Sequence, residues 1–108
     1  MTSSQPFSAG TREAARLLGS QVRVARLRRR WTVKDLAARV GVSEVTMRKV
    51  ERGDLSVALG TAFEAASLVG VVLYDEPGRR DLEAQHVAAT LALLPATARQ
   101  RRRVDDDF

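Results

Sequence analysis

At 108 residues the chain is sized for one domain with extensions, near the lower end of lengths that bury a self-sufficient core. It has no cysteine, which excludes disulfides and thiolate metal sites, and no apolar run approaches membrane-spanning length. A net charge of +5 favours a polyanionic partner, and with aromatics at only 5% the core must be filled by Ala, Leu and Val.

Met1 to Gly10 is polar, carries Pro6 and no arginine or lysine, and reads as a flexible arm. It lacks the apolar centre of a signal peptide, so a cytoplasmic location is expected. From Thr11 a helix is predicted to about Arg29, with Leu18, Val22 and Ala25 at core spacing. Gly19 weakens its interior slightly but lets another backbone approach. Arg23, Arg26, Arg28, Arg29 and Arg30 are five arginines in eight residues. Complementing a helix dipole needs fewer, so Arg28, Arg29 and Arg30 are read as phosphate contacts rather than a solvated face. Trp31, the sole tryptophan, is expected to staple this helix to the next at the core edge.

Thr32 to Gly53, TVKDLAARVGVSEVTMRKVERG, reads as two short helices around a tight turn. Thr32 caps the first, and Asp35 at its third position completes a capping box. Leu36, Ala37 and Val40 form an apolar stripe, and Gly41 can take the left-handed conformation that stops a helix. Ser43 caps the second helix, Met47 and Val50 point inward, and Gly53 closes it. This is a helix-turn-helix whose second helix would enter the major groove of duplex DNA. Ser43, Glu44, Val45, Thr46, Arg48 and Lys49 are its candidate contacts. Glu44 can accept from a cytosine amino group, Lys49 can donate to guanine, Val45 can touch a thymine methyl, and Thr46 can bond a phosphate or base.

Arg52-Gly53-Asp54 reads as a turn, and Ser56 as the cap of a helix from Leu59 to Val69 with Leu59, Phe63, Ala66 and Val69 inward. After Gly70, the run Val71, Val72, Leu73, Tyr74 has strand composition. Four residues make a poor isolated strand, so pairing with a second subunit is expected, the alternative being an extended segment packed on its own domain. Glu76 to Arg79 reads as a turn, followed by an amphipathic helix from Arg79 to Leu94 with Leu82, His86, Ala89 and Leu93 on one stripe. His86, without a second histidine, is read as a packing residue and not a metal ligand. Beyond Pro95 the chain is basic and then acidic, too polar to order itself, and Asp105 to Asp107 read as a solvated tail.

Leu18 to Gly53, LGSQVRVARLRRRWTVKDLAARVGVSEVTMRKVERG, resembles the repressor and Cro type of helix-turn-helix, the XRE class. Gly53 to Val71 and the closing VDDDF, Val104 to Phe108, narrow the resemblance to HipB-like antitoxins encoded beside HipA-type kinase toxins. The resemblance implies an ion pair between Arg26 and Glu51, dimerisation through Val71, Val72, Leu73 and Tyr74, and a kinase partner. Two positions depart from the family. A glycine usually stands where this chain has Arg30, and since a left-handed arginine would cost on the order of 1 kcal/mol, a differently shaped turn is expected. A phosphate-bonding glutamine usually stands where this chain has Val33, and Lys34 is expected to compensate.

The sequence therefore predicts an all-α, five-helix repressor-like domain with a short dimerisation strand, a C-terminal helix and a flexible tail. The expected divisions are an arm over 1–10, the DNA-binding and dimerisation domain over 11–76, and the helix and charged tail over 77–108. The expected function is repression of its own operon as a homodimer on a palindromic DNA operator, with neutralisation of a HipA-like kinase through Val104, Asp105, Asp106, Asp107 and Phe108. No cofactor and no membrane association are expected, and no nucleophile–base constellation, phosphate loop or metal cluster points to an enzyme. The rival readings are a stand-alone XRE-type transcription factor and a protein-interaction module.

Overall fold

A computed structural model of the chain describes residues 6–74 and 77–96. The chain divides into two compact units, Met1–Leu73 and Tyr74–Phe108. The first contains α1 (Ala9–Arg28), α2 (Val33–Val40), α3 (Glu44–Arg52) and α4 (Leu59–Leu68), and the second contains α5 (Pro77–Leu93).

The core of the first unit is built from Val22 of α1, Leu36 and Ala37 of α2, Met47 and Val50 of α3, Ala65 and Ala66 of α4, and Val69 just beyond it. No aromatic side chain is among these fully buried residues; Trp31 packs at their edge together with Leu18 and Ala25. Burying a Val, Leu or Met side chain contributes about 1.5–3 kcal/mol, so these small side chains stabilise the fold only where the helices come close together. Two glycines bring α1 against α3. A Cβ on Gly19 would stand 2.6 Å from the carbonyl oxygens of both Val50 and Glu51, and one on Gly53 would stand 2.6 Å from the Cα of Arg16.

All four helices of this unit end in the same way, with one left-handed residue and a bond from the following amide back across the last turn. The residues are Arg30 (φ +62), Gly41 (φ +88), Gly53 (φ +76) and Gly70 (φ +81). The amides of Trp31, Val42, Asp54 and Val71 donate to the carbonyls of Arg26, Ala37, Lys49 and Ala66 at 3.2, 3.0, 3.0 and 2.9 Å. The turn after α1 is therefore not reshaped to relieve Arg30. The arginine itself takes up the left-handed conformation.

Other expectations are corrected. Among the described residues there is no strand, and Val71–Tyr74, expected as one, is not a strand. The Val71 amide is consumed in closing α4, and Tyr74 has a left-handed backbone (φ +69) incompatible with a continuing ladder. Val71 and Leu73 pack on the core while Val72 is 64% exposed, the pattern of an extended segment lying on its own domain. Ser56 does not cap α4. Its amide and hydroxyl both donate to Asp54 Oδ1, at 2.8 and 2.6 Å, and α4 starts from Ala58 with no side-chain cap. Leu59 lies on the outer side of α4, exposed to solvent. Helix α1 begins at Ala9 because the Ser8 hydroxyl accepts from the Thr11 amide. Helix α5 begins at Pro77, a residue whose fixed φ suits the first helical position. His86, expected to pack, is exposed. Residues 97–108, including the tail Val104–Phe108, lie outside the described residues.

Candidate nucleic-acid interface

The surface at issue is set by how α2 and α3 begin. At α2 the Thr32 hydroxyl accepts from the Asp35 amide at 3.0 Å, and the Thr32 amide donates to Asp35 Oδ2 at 2.8 Å. That amide bond and then the hydroxyl hold the Asp35 carboxyl below its ordinary range. At α3 the Ser43 hydroxyl accepts from the Thr46 amide and donates to the Thr46 hydroxyl, both at 3.1 Å. Ser43 and Thr46 thus serve the cap first.

Above the buried Met47 and Val50, α3 presents Glu44, Val45 and Arg48 to solvent, with Val45 63% exposed. Arg48 Nη2 lies 3.4 Å from Glu44 Oε1, one turn away on the same face. Lys49 is half-buried on the flank of the helix.

The far end of α3 is fixed from below. Arg26, in the last turn of α1, grips Glu51 with two nitrogens, Nε to Oε2 at 2.6 Å and Nη2 to Oε1 at 3.0 Å, and donates its third to the Trp31 carbonyl at 2.8 Å. Both side chains are 8% exposed. This is the pair that the family resemblance implies, and it ties α1, the turn after it and α3 into one rigid piece.

Arg28, Arg29 and Arg30, adjacent in sequence, are not brought to one surface. Arg28 and Arg29 line a groove on the α4 side of α1 with Leu17, Val24, Val69 and Val72. Arg29 is further engaged there, donating to the Val69 carbonyl at the end of α4. Arg30 instead lines a shallow depression with Lys34, Glu44 and Arg48, between the end of α1 and the starts of α2 and α3. The fold also brings in Arg39, a residue not expected at the site, whose guanidinium lies 4.1 Å from the centroid of the Trp31 ring, with that of Arg29 at 5.7 Å. No spacing rule singles out Arg39, because the stack depends on the path of the chain through the left-handed turn at Arg30. Among the described residues no cluster could hold a metal ion, and no helix is long and apolar enough to cross a membrane.

A capped two-helix unit with an exposed, polar second helix over a shared core is the architecture of helix-turn-helix DNA-binding proteins. The family model for helix-turn-helix domains matches residues 17–73, just over half of the chain, and the chain belongs to that family. The match supports an XRE-like, DNA-binding regulator, a class that is typically non-enzymatic. Comparison with curated proteins and with solved structures gave no match.

Proposed function

We propose that the protein is a sequence-specific transcriptional repressor, cytoplasmic, that binds a palindromic operator as a homodimer with α3 in the major groove. The observation that carries this reading is the face of α3 itself. Glu44, Val45 and Arg48 stand free of the core at the end of the helix that enters the groove, on a helix locked by the Arg26–Glu51 pair. Ser43, Thr46 and Lys49 border that face, and Arg30 and Lys34 supply cations beside it for the phosphates. Arg28 and Arg29 line a different groove and are left out of this reading surface. A homodimer follows from affinity, because one short helix reads too few base pairs for specific binding and two related helices read two half-sites.

The antitoxin role rests on the resemblance of Gly53–Val71 and Val104–Phe108 to HipB-like proteins. The rival reading is a stand-alone regulator of the same class, and the family match over residues 17–73 is common to both. Fluorescence anisotropy with duplexes varied one position at a time tests the division of labour. Lys49→Ala should relax the preference at one base pair, whereas Lys34→Ala should weaken every duplex alike and flatten the salt dependence. Equal losses on all duplexes for both variants would remove the distinction between reader and clamp.

A further inference from the structure

Three of the four helix closures in the first unit place glycine at the left-handed residue, and the fourth places Arg30 there. For an L side chain this conformation crowds Cβ against the neighbouring carbonyl, a cost that glycine escapes. Strain of this kind persists where the surrounding structure enforces it, and it clusters where a function requires the residue.

The guanidinium of Arg30 indicates what that is. Four nearby arginines are committed within the fold: Arg26 to Glu51, Arg29 to the Val69 carbonyl, Arg39 to the Trp31 ring and Arg48 to Glu44. The side chain of Arg30 has no hydrogen bond, ion pair or ring contact with any described residue. It lines the same depression as Lys34 and Arg48, where Glu44 is the sole carboxylate and already holds Arg48. The result is a net positive, solvent-facing surface next to the proposed reading helix, with one strained and uncommitted arginine in it.

We propose that Arg30 is a phosphate clamp for duplex DNA, kept in a strained backbone position because binding requires its charge, so that this one residue trades fold stability for affinity. The proposal rests on the DNA-binding reading above, in which Arg30 is one of the cations facing phosphate, and adds to it the trade of fold stability for affinity. Arg30 belongs to the turn after α1 and not to α3, so it meets the sugar-phosphate backbone rather than base edges. A guanidinium there pairs two phosphate oxygens without reading sequence.

The test compares Arg30→Gly, Arg30→Asn and Arg30→Lys in the full-length protein, by thermal melting and by anisotropy titration of a selected operator and a random duplex between 50 and 200 mM salt. Glycine and asparagine both tolerate the left-handed region. Each should raise Tm by about 4 °C, weaken both duplexes by the same factor of roughly ten, and lower the slope of log K against log salt by about one per protomer. Lysine keeps the charge and the strain, so its Tm and salt slope should stay at the wild-type values. A glycine variant that melts lower than wild type, or that melts higher but binds both duplexes unchanged, overturns the assignment, as does a lysine variant with the glycine variant's slope. Wild-type protein that binds neither duplex overturns the DNA-binding reading and the clamp with it. Wild-type binding with no clamp effect overturns the clamp alone.

Discussion

Arg26 and Glu51 meet as a bidentate, buried pair that joins the last turn of α1 to the last turn of α3. The third arginine nitrogen holds the Trp31 carbonyl, so the residue before α2 is tied to the same point. One guanidinium therefore fixes the angle at which α3 is presented relative to α2. The pair's mutual attraction is offset by the cost of taking both charges out of water, so its net contribution is small compared with the cost of breaking it.

Removing one partner leaves the other charged, buried and unpaired. Arg26→Ala and Glu51→Ala should each destabilise the domain by about 3–5 kcal/mol, a large part of the stability of a unit this size. Replacing both together, Arg26→Met with Glu51→Leu, should recover most of that loss. Urea denaturation of the two single variants and the double variant checks this. Additive single losses in the double variant would show that the pair is not the unit that matters.

Glycines give an opposite-sign test of the α1–α3 approach. In an open helical position, glycine to alanine stabilises by about 0.4–1 kcal/mol through the unfolded chain. Gly60→Ala meets nothing within 4 Å and should follow that rule. Gly19→Ala would drive a methyl to 2.6 Å from two backbone carbonyls and should instead destabilise by about 1–3 kcal/mol. Denaturation midpoints of the two variants should therefore move in opposite directions.

Much of this was legible in the residues because the signals are local. Thr32 with Asp35, Ser43, Gly41 and Gly53 mark the bounds of α2 and α3 by hydrogen bonds that close within four residues, and the structure has all of them. The Arg26–Glu51 pair was legible only through the family resemblance, since 25 residues separate its members. What was not legible depends on competition for one group. Ser56 has the chemistry of a cap, but the Asp54 carboxylate two residues earlier takes its amide and hydroxyl. Val71–Tyr74 has the composition of a strand, but Gly70 turns the chain so that the Val71 amide finishes α4. Arg28, Arg29 and Arg30 look like one cluster in sequence, and the left-handed turn at Arg30 separates them onto two surfaces.

Acid should weaken the fold through two carboxylates. Asp35 is held below its ordinary value of 3.8 by the Thr32 amide and hydroxyl, and Asp54 below the same value by the Ser56 hydroxyl and amide. For a carboxyl whose folded pKa is depressed, the unfolded chain takes up the proton first as pH falls. The stability these groups contribute is thus complete above the unfolded pKa and is lost as pH drops through it towards the lower folded value. Melting temperature should be level near neutrality and decline below about pH 5. Asp35→Asn and Asp54→Asn, which remove the titrating groups, should each make that decline shallower, and an unchanged acid limb in both variants would move the effect to other groups.

The proposed kinase contact of Val104–Phe108 makes a separate prediction. Deleting these five residues should leave the melting temperature of the free protein nearly unchanged and should not weaken operator binding, since three aspartates leave with them. Binding of the proposed HipA-type kinase partner should fall. A truncated protein that binds and silences that kinase as well as the full chain would leave the segment without this role.

The most direct measurement is selection of duplexes from a random pool by the wild-type protein, with the same selection repeated for a Val45→Ala, Arg48→Ala variant of α3. Sequence reading by two copies of α3 requires the wild type to enrich a palindrome whose half-sites lie roughly 34–36 Å apart, or a multiple of that. The variant, folded to the same Tm, should lose the preference while keeping salt-dependent binding to any duplex. Enrichment of no sequence by the wild type, or of the same palindrome by the variant, would contradict the assignment of α3 as the reader.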